Sequence, residues 1–317
     1  MVRLVRTSTA EKHGYRCPEC GDELSKDKSG IGHVRHKSNP DCRFEVGQRD
    51  TDGSQASVRA NAVPHASHEP SDGVRICGYS ERGIFNSLLY EIGFASNSFN
   101  LIQELLELIR VPTGKPDLRK PEGAEVLIEQ SLSDFGDADA IVLLHGQDWR
   151  CAVFIEGKVK PSQIASWSIQ GAWDDFLRRK SGTLESSNLF TQLYHKTRFV
   201  SALRKGGIEY LQSGVEFPAC STKQTRKLGS NPVVVRAAKL IQAYKEHALY
   251  IAVVPDDSSK LKQFFEQDLA RGPASDVLGW DTSGWGYLCW HDVEAFCKKH
   301  EMTNTLRVFK FNEGQIY

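Results

Sequence analysis

Asp139-Ala140-Ile141-Val142-Leu143-Leu144, the turn His145-Gly146-Gln147-Asp148, and Cys151-Ala152-Val153-Phe154-Ile155-Glu156-Gly157-Lys158-Val159-Lys160 form the stretch on which the fold turns. Two runs of β-formers joined by a short glycine-containing turn predict a hairpin, with strands over 139–144 and 151–160. An acid heads one strand, and an acid and an amine close the other. Core packing alone does not select such residues, because buried Asp, Glu and Lys are costly unless paired or bound to a metal. Alternate residues of a strand share a face, so Glu156 and Lys158 point the same way.

Outward from this hairpin the elements follow by periodicity. Upstream, Ser80 opens a helix in which Ile84, Phe85, Leu88 and Ile92 recur at helical spacing, and 101–109 reads as a second amphipathic helix. Residues 125–129 form a short strand before Asp139. Connections this short exclude crossover helices, so the three strands make an antiparallel meander. Downstream, helices are expected over 164–179, 188–204 and 232–247, followed by the apolar strand 248–254 ending at Pro255, a helix over 259–269, and a terminal strand and helix over 285–299. The expected class is α/β, with a mixed central sheet flanked by helices.

Three textures divide the 317 residues. Residues 1–46 are polar and carry a Cys/His cluster. Residues 47–73 are rich in Ser, Asp, Gly and Ala, the composition of a linker. Residues 74–317 read as one domain. No run approaches the about 20 apolar residues of a membrane span, and the scattered later cysteines, Cys151 and Cys289 among them, suit a reducing setting. A cytoplasmic protein with no membrane association is expected.

Formal net charge is zero, which argues against a chain coated uniformly for nucleic acid. The distribution is uneven: residues 158–239 hold 14 Lys and Arg against five acids. This excess begins at the Glu156/Lys158 strand, where a phosphate-backbone track would need it.

Asp139 and Glu156 on neighbouring strands put two carboxylates within reach of one ion, and Mg²⁺ favours one or two carboxylates plus waters. The Gly157 carbonyl is a further candidate ligand. Lys158 would orient the attacking water or stabilise the charge that develops on phosphorus. The chemistry read from these residues is metal-assisted phosphodiester hydrolysis. On the helix that follows, Gln192 and Lys196 lie one turn apart, with Arg198 nearby; with Gln170 and Lys160 they are candidate nucleic-acid contacts. Tyr194, also on that helix, is equally well read as core.

These residues resemble the PD-(D/E)XK nuclease superfamily, the fold of many restriction endonucleases. Gly136-Asp137-Ala138-Asp139-Ala140-Ile141-Val142 stands for its first motif, with Ala138 where proline often sits, and Ile155-Glu156-Gly157-Lys158-Val159 for its second. The resemblance implies a restriction-endonuclease-like core of helix, three-stranded meander and helix across residues 80–179. It also implies an upstream helical glutamate at the metal site. Glu81 is preferred over Glu91 because it lies at the helix start, and Glu129 is another candidate acid.

At the N-terminus, Cys17-Pro18-Glu19-Cys20-Gly21 is a metal half-site, two thiolates on a tight turn. Cys42 and one histidine complete a closed Cys₃His zinc site; His36 is preferred, with His33 as the alternative. So short and polar a segment has too little core to fold without such a staple. The stretch resembles the zinc-ribbon-like knuckles in front of some bacterial nucleases, including competence proteins of the CoiA type.

The expected function is a metal-dependent DNA nuclease, an endonuclease using Mg²⁺ or Mn²⁺, in prokaryotic or phage defence, restriction or recombination. A helicase or other defence subunit is the protein partner such a chain would need for translocation, and an oligomer is compatible with the sequence. Two alternatives stay open: a non-catalytic nucleic-acid-binding or scaffold protein on the same fold, and an RNA-directed nuclease.

Overall fold

The computed structural model describes residues 78–316 apart from 113–115, 117, 161–166, 179–187, 218–224, 256–257, 270–281 and 283, together with the backbone of three short N-terminal strands. Contacts divide the chain into two units, Met1–Arg75 and Ile76–Tyr317. In the first, β1 (Tyr15–Arg16), β2 (Glu23–Lys26) and β3 (Val34–His36) form an antiparallel sheet in that order, with Leu24 opposite both Tyr15 and His36. The expected zinc ligands Cys17, Cys20, Cys42 and the alternative His33 lie outside the described residues, as does the 47–73 linker. His36 is described only as backbone of β3.

The second unit starts with α1 (Ser80–Phe94) and α2 (Ser98–Glu107). The expected meander follows as β4 (Gly123–Ser131), a single 3-10 turn at Ser133–Phe135, β5 (Asp137–His145) and β6 (Arg150–Gly157). Next come α3 (Ile169–Arg178), α4 (Leu189–Ser213), the two-residue strands β7 (Val215–Glu216) and β8 (Thr225–Arg226), α5 (Pro232–Gln242) and β9 (Ala248–Val254). Then α6 (Ser258–Gln263) runs into a π-helical turn (Phe264–Leu269), followed by β10 (Trp285–Cys289), α7 (Trp290–Lys299) and α8 (Thr303–Phe311).

The main sheet has the order β10-β9-β6-β5-β4. β4, β5 and β6 pair antiparallel, whereas β9 lies parallel to β6 and β10 parallel to β9. The α/β class and the mixed sheet flanked by helices hold. Parity sorts the strands into two cores: Ile141, Leu143, Ala152, Phe154, Tyr250 and Ala252 face α3–α6, and Ala140, Val142, Val153, Ile155, Ile251 and Val253 face α1, α2, α7 and α8. Layers of helix, sheet and helix result, with strands buried on both sides as a sheet covered on both faces requires. Each large apolar side chain so buried contributes about 1.5–3 kcal/mol.

Several boundaries differ from the periodicity reading. Residues 167–168 are not helical and α3 starts at Ile169. α4 runs past Arg204 to Ser213 and bends at Gly207, whose φ of 66° a helix does not accommodate. α8 and the β7/β8 pair were not expected. Local caps set two helix starts: the Asn188 side chain accepts from the Phe190 and Thr191 amides, and Asn231 accepts from Val233 with Pro232 opening α5.

Candidate functional site

Asp139 lies where the sheet lets go of its backbone. The β4/β5 pairing runs from Gly123 and His145 to Ile128 and Ala140, then resumes at Gln130 and Ala138, leaving Glu129 and Asp139 out of the ladder. Glu129 there has φ 47°, a left-handed conformation rare for a residue other than glycine. On the other side, the β5/β6 pairing ends at Ala140 and Ile155. The Gly157 amide therefore finds its acceptor in a side chain, donating to Asp139 Oδ2 at 2.7 Å.

Glu156 shares the face of Phe154 and is 0% exposed. Its counter-charge is Lys196 of α4, also 0% exposed, with Nζ 2.7 Å from Glu156 Oε1. The same ammonium donates to the Asp137 carbonyl at 2.7 Å. Gly136 backs it: a Cβ there would come within 3.3 Å of Nζ. The Lys196–Glu156 contact lacks hydrogen-bond directionality, so it holds by charge and proximity, and neither Glu156 oxygen has a hydrogen-bond partner among the described residues.

Helix α1 brings Glu81. Its Cβ and Cγ lie over Gly157, where an added Cβ would meet them at 2.8 and 3.3 Å. One turn of chain sets this approach. Gly78 and Gly83 touch backbone to backbone, a Cβ on Gly83 falling 2.4 Å from the Gly78 carbonyl carbon. Ser80 takes φ 61° and donates its amide to Asn312 Oδ1 at 2.8 Å. The buried Asn312 amide in turn donates to the Gly78 and Val308 carbonyls at 2.9 and 2.8 Å, so α8 clamps the entry to α1. From the same helix, the exposed Arg82 reaches the buried Asp139 Oδ1 at 4.0 Å, and Asn86 donates to Glu129 Oε1.

Lys158 follows β6 with its backbone held on both sides: its amide donates to the Val253 carbonyl and its carbonyl accepts from the Trp290 indole, each at 2.8 Å. Its side chain is half-buried. Burial raises the Asp139 pKa to about 7, reinforced by the charges of Glu156 and Glu81 and opposed by the Gly157 hydrogen bond and the Lys158 charge. Glu81, Glu156 and Lys158 thus all bear on Asp139.

The other sequence-predicted residues divide. Glu91 is engaged elsewhere, accepting from the Thr305 amide and hydroxyl at 2.9 and 2.7 Å at the start of α8, which leaves Glu81 as the upstream glutamate near Asp139. Lys196 is not a solvent-facing nucleic-acid contact; its place in the apolar stripe Leu189, Leu193, Val200 and Leu203 buries it against Glu156. Gln192 is half-buried, its Oε1 sealed without a hydrogen-bond partner among the described residues. Gln170 is exposed and donates to Asp174 within α3. Arg198 donates to the Glu216 carbonyl at 2.6 Å and lies over Phe217. Lys160 is half-buried, and its amide donates to the Gln315 carbonyl at 2.6 Å. Tyr194 is core, edge-on to Phe217. Beside it, burial chiefly lowers the His195 pKa to about 3, with Arg226 and Lys196 adding to the effect, so this imidazole is neutral.

Among the described residues, no three His, Cys, Asp or Glu side chains converge as a ready-made metal cage. A hard divalent ion needs less, one or two carboxylates with waters, and the residues that could hold one are Asp139 and Glu156, the latter with both oxygens lacking a hydrogen-bond partner among the described residues. No family model, curated protein or solved structure matches this chain. What the arrangement does chemically therefore rests on its own residues.

Sequence reasoning missed the Lys196–Glu156 pair and the Asn312 clamp. Lys196 had a readable signal, a charge in phase with the apolar stripe of its helix. Asn312 had none, because its partners are set only when α8 packs on α1.

Proposed function

We propose that this chain is a metal-dependent DNA nuclease with the catalytic group of a PD-(D/E)XK enzyme: Asp139 and Glu156 as carboxylate ligands, with the Gly157 carbonyl beside them, Glu81 as the helical acid, and Lys158 as the amine. One observation carries the reading. The amide of Gly157, the residue between Glu156 and Lys158, donates to Asp139 Oδ2 at 2.7 Å, and Glu81 of α1 lies over the same Gly157, so two strand ends and a helix start meet at one residue. The helix–meander–helix order around them supports a restriction-endonuclease-like core.

Mg²⁺ or Mn²⁺, when bound, would neutralise the scissile phosphate and acidify a water. The protein's own contribution is positional. Gly157 holds the Asp139 carboxylate by a hydrogen bond, Lys196 holds Glu156, and the backbone of Lys158 is pinned on both sides, from where its ammonium, whose charge reaches Asp139, would orient the water or stabilise developing charge. The half-buried Gln192 lies one helical turn from Lys196 and is a candidate phosphate or base contact. We also propose a Cys₃His zinc knuckle at Cys17, Cys20, His36 and Cys42 that helps dock DNA.

A second reading has its own support. Glu156 is fully buried with a counter-charge in place, which suits a nucleic-acid-binding protein retired from catalysis. The deciding experiment incubates wild type and Asp139→Ala with plasmid, linear and single-stranded DNA and with RNA, with and without Mg²⁺ or Mn²⁺. Metal-dependent DNA cleavage lost in the variant is expected. Retention of nucleic acid without cleavage by wild type would favour the binding protein, and cleavage of RNA alone would redirect the substrate.

A further inference from the structure

We propose that Lys196 is a fixed counter-cation of the carboxylate site, filling the place of a second divalent ion, so that the site binds a single Mg²⁺ or Mn²⁺. The inference rests on the metal-site reading of Asp139 and Glu156, but not on what the protein cleaves.

Geometry comes first. The Lys196 ammonium is 2.7 Å from Glu156 Oε1 and 2.7 Å from the Asp137 carbonyl, and it has no solvent exposure. Carboxylate and backbone carbonyl oxygens are what a hard divalent cation takes as ligands, and here one carboxylate and one carbonyl already hold an ammonium. It cannot swing clear. Its helix is capped by Asn188 and anchored in the core by Phe190 and Leu193, and the φ 80° turn at Gly136 closes over Nζ. A lysine so enclosed differs from one that retreats to solvent when a metal arrives.

Glu156 Oε2 is buried without a hydrogen-bond partner, an arrangement that costs free energy unless something else is bound there. Asp139, close enough for its charge to interact with that of Glu156, supplies the second carboxylate.

Charge balance points the same way. The carboxylates of Glu81, Asp139 and Glu156 meet the ammoniums of Lys158 and Lys196. With the Arg82 guanidinium 4.0 Å from Asp139 balancing the third carboxylate, one divalent ion already leaves this group positive before the phosphate enters. A second would leave a large positive excess where solvent cannot screen it.

Titration of the purified full chain with Mn²⁺, following free Mn²⁺ by its electron paramagnetic resonance signal, tests this directly. Thiolate zinc sites do not compete for so hard an ion. Wild type and Lys196→Arg are expected to saturate at one Mn²⁺ per chain, and Lys196→Ala at two. Two ions on wild type would overturn the proposal, and so would a folded Lys196→Ala that still takes one. The wild-type count stands even if Lys196→Ala fails to fold. One ion bound with no nucleic acid cleaved would leave the counter-cation standing and sink the nuclease reading. No ion bound by wild type would overturn the counter-cation itself.

Discussion

Asp139 Oδ2 accepts the amide of Gly157 at 2.7 Å, so a side chain on β5 takes the role of a ladder carbonyl where the β5/β6 pairing has ended. The carboxylate is thereby fixed in a buried position, 8% exposed, beside two other acids. Fixing a charge there has a cost that depends on pH.

The Asp139 carboxyl has its pKa raised from 3.8 to about 7, chiefly by burial. Below about pH 4 both folded and unfolded chains hold the proton, and the group costs nothing. As pH rises towards 7 the unfolded chain releases it first, so stability falls, and above 7 the loss is complete. Asp139→Asn keeps an acceptor for Gly157 without the charge. Urea denaturation should show it equal to wild type at pH 4 and more stable by about 2–4 kcal/mol at pH 8, with cleavage abolished. Equal stability at both pH values would show that this carboxylate is not strained.

The buried ion pair predicts non-additivity. Lys196→Met leaves Glu156 sealed without a counter-charge, and removing one partner of such a pair costs about 3–5 kcal/mol. Glu156→Leu combined with Lys196→Met replaces the pair with apolar volume and should recover most of that loss. Denaturation midpoints of the two single variants and the double complete the cycle. A double variant as unstable as the sum of the singles would mean the two side chains do not depend on each other.

Gly83 gives a test in which propensity and packing disagree. Alanine in a helix is favoured over glycine by about 1 kcal/mol, so local reasoning predicts that Gly83→Ala stabilises α1. The added Cβ would fall 2.4 Å from the Gly78 carbonyl carbon, and relieving that contact must displace the turn that carries Ser80 and Glu81. The expected outcome is a loss of about 1–3 kcal/mol, read by thermal or urea denaturation. A gain in stability would show that the entry to α1 is not held in this close contact.

What the sequence determined by itself was local. Runs of β-formers joined by short connections established the meander, and the polar ends of two apolar strands marked Asp139 and Glu156 as residues needing a chemical reason. Those are consequences of short connections and of the cost of burying charge, and both operate within a few residues. The parity expected to pair Lys158 with Glu156 lapses because β6 ends at Gly157. Tertiary structure decided what those side chains meet. It seated β9 parallel against β6, sent Glu91 to the start of α8 while Glu81 lay over Gly157, and turned Lys196 from an expected nucleic-acid contact into the counter-charge of Glu156. Such partners lie far apart in the chain, and which of them meet depends on how each helix seats on the sheet, a choice that no local periodicity contains.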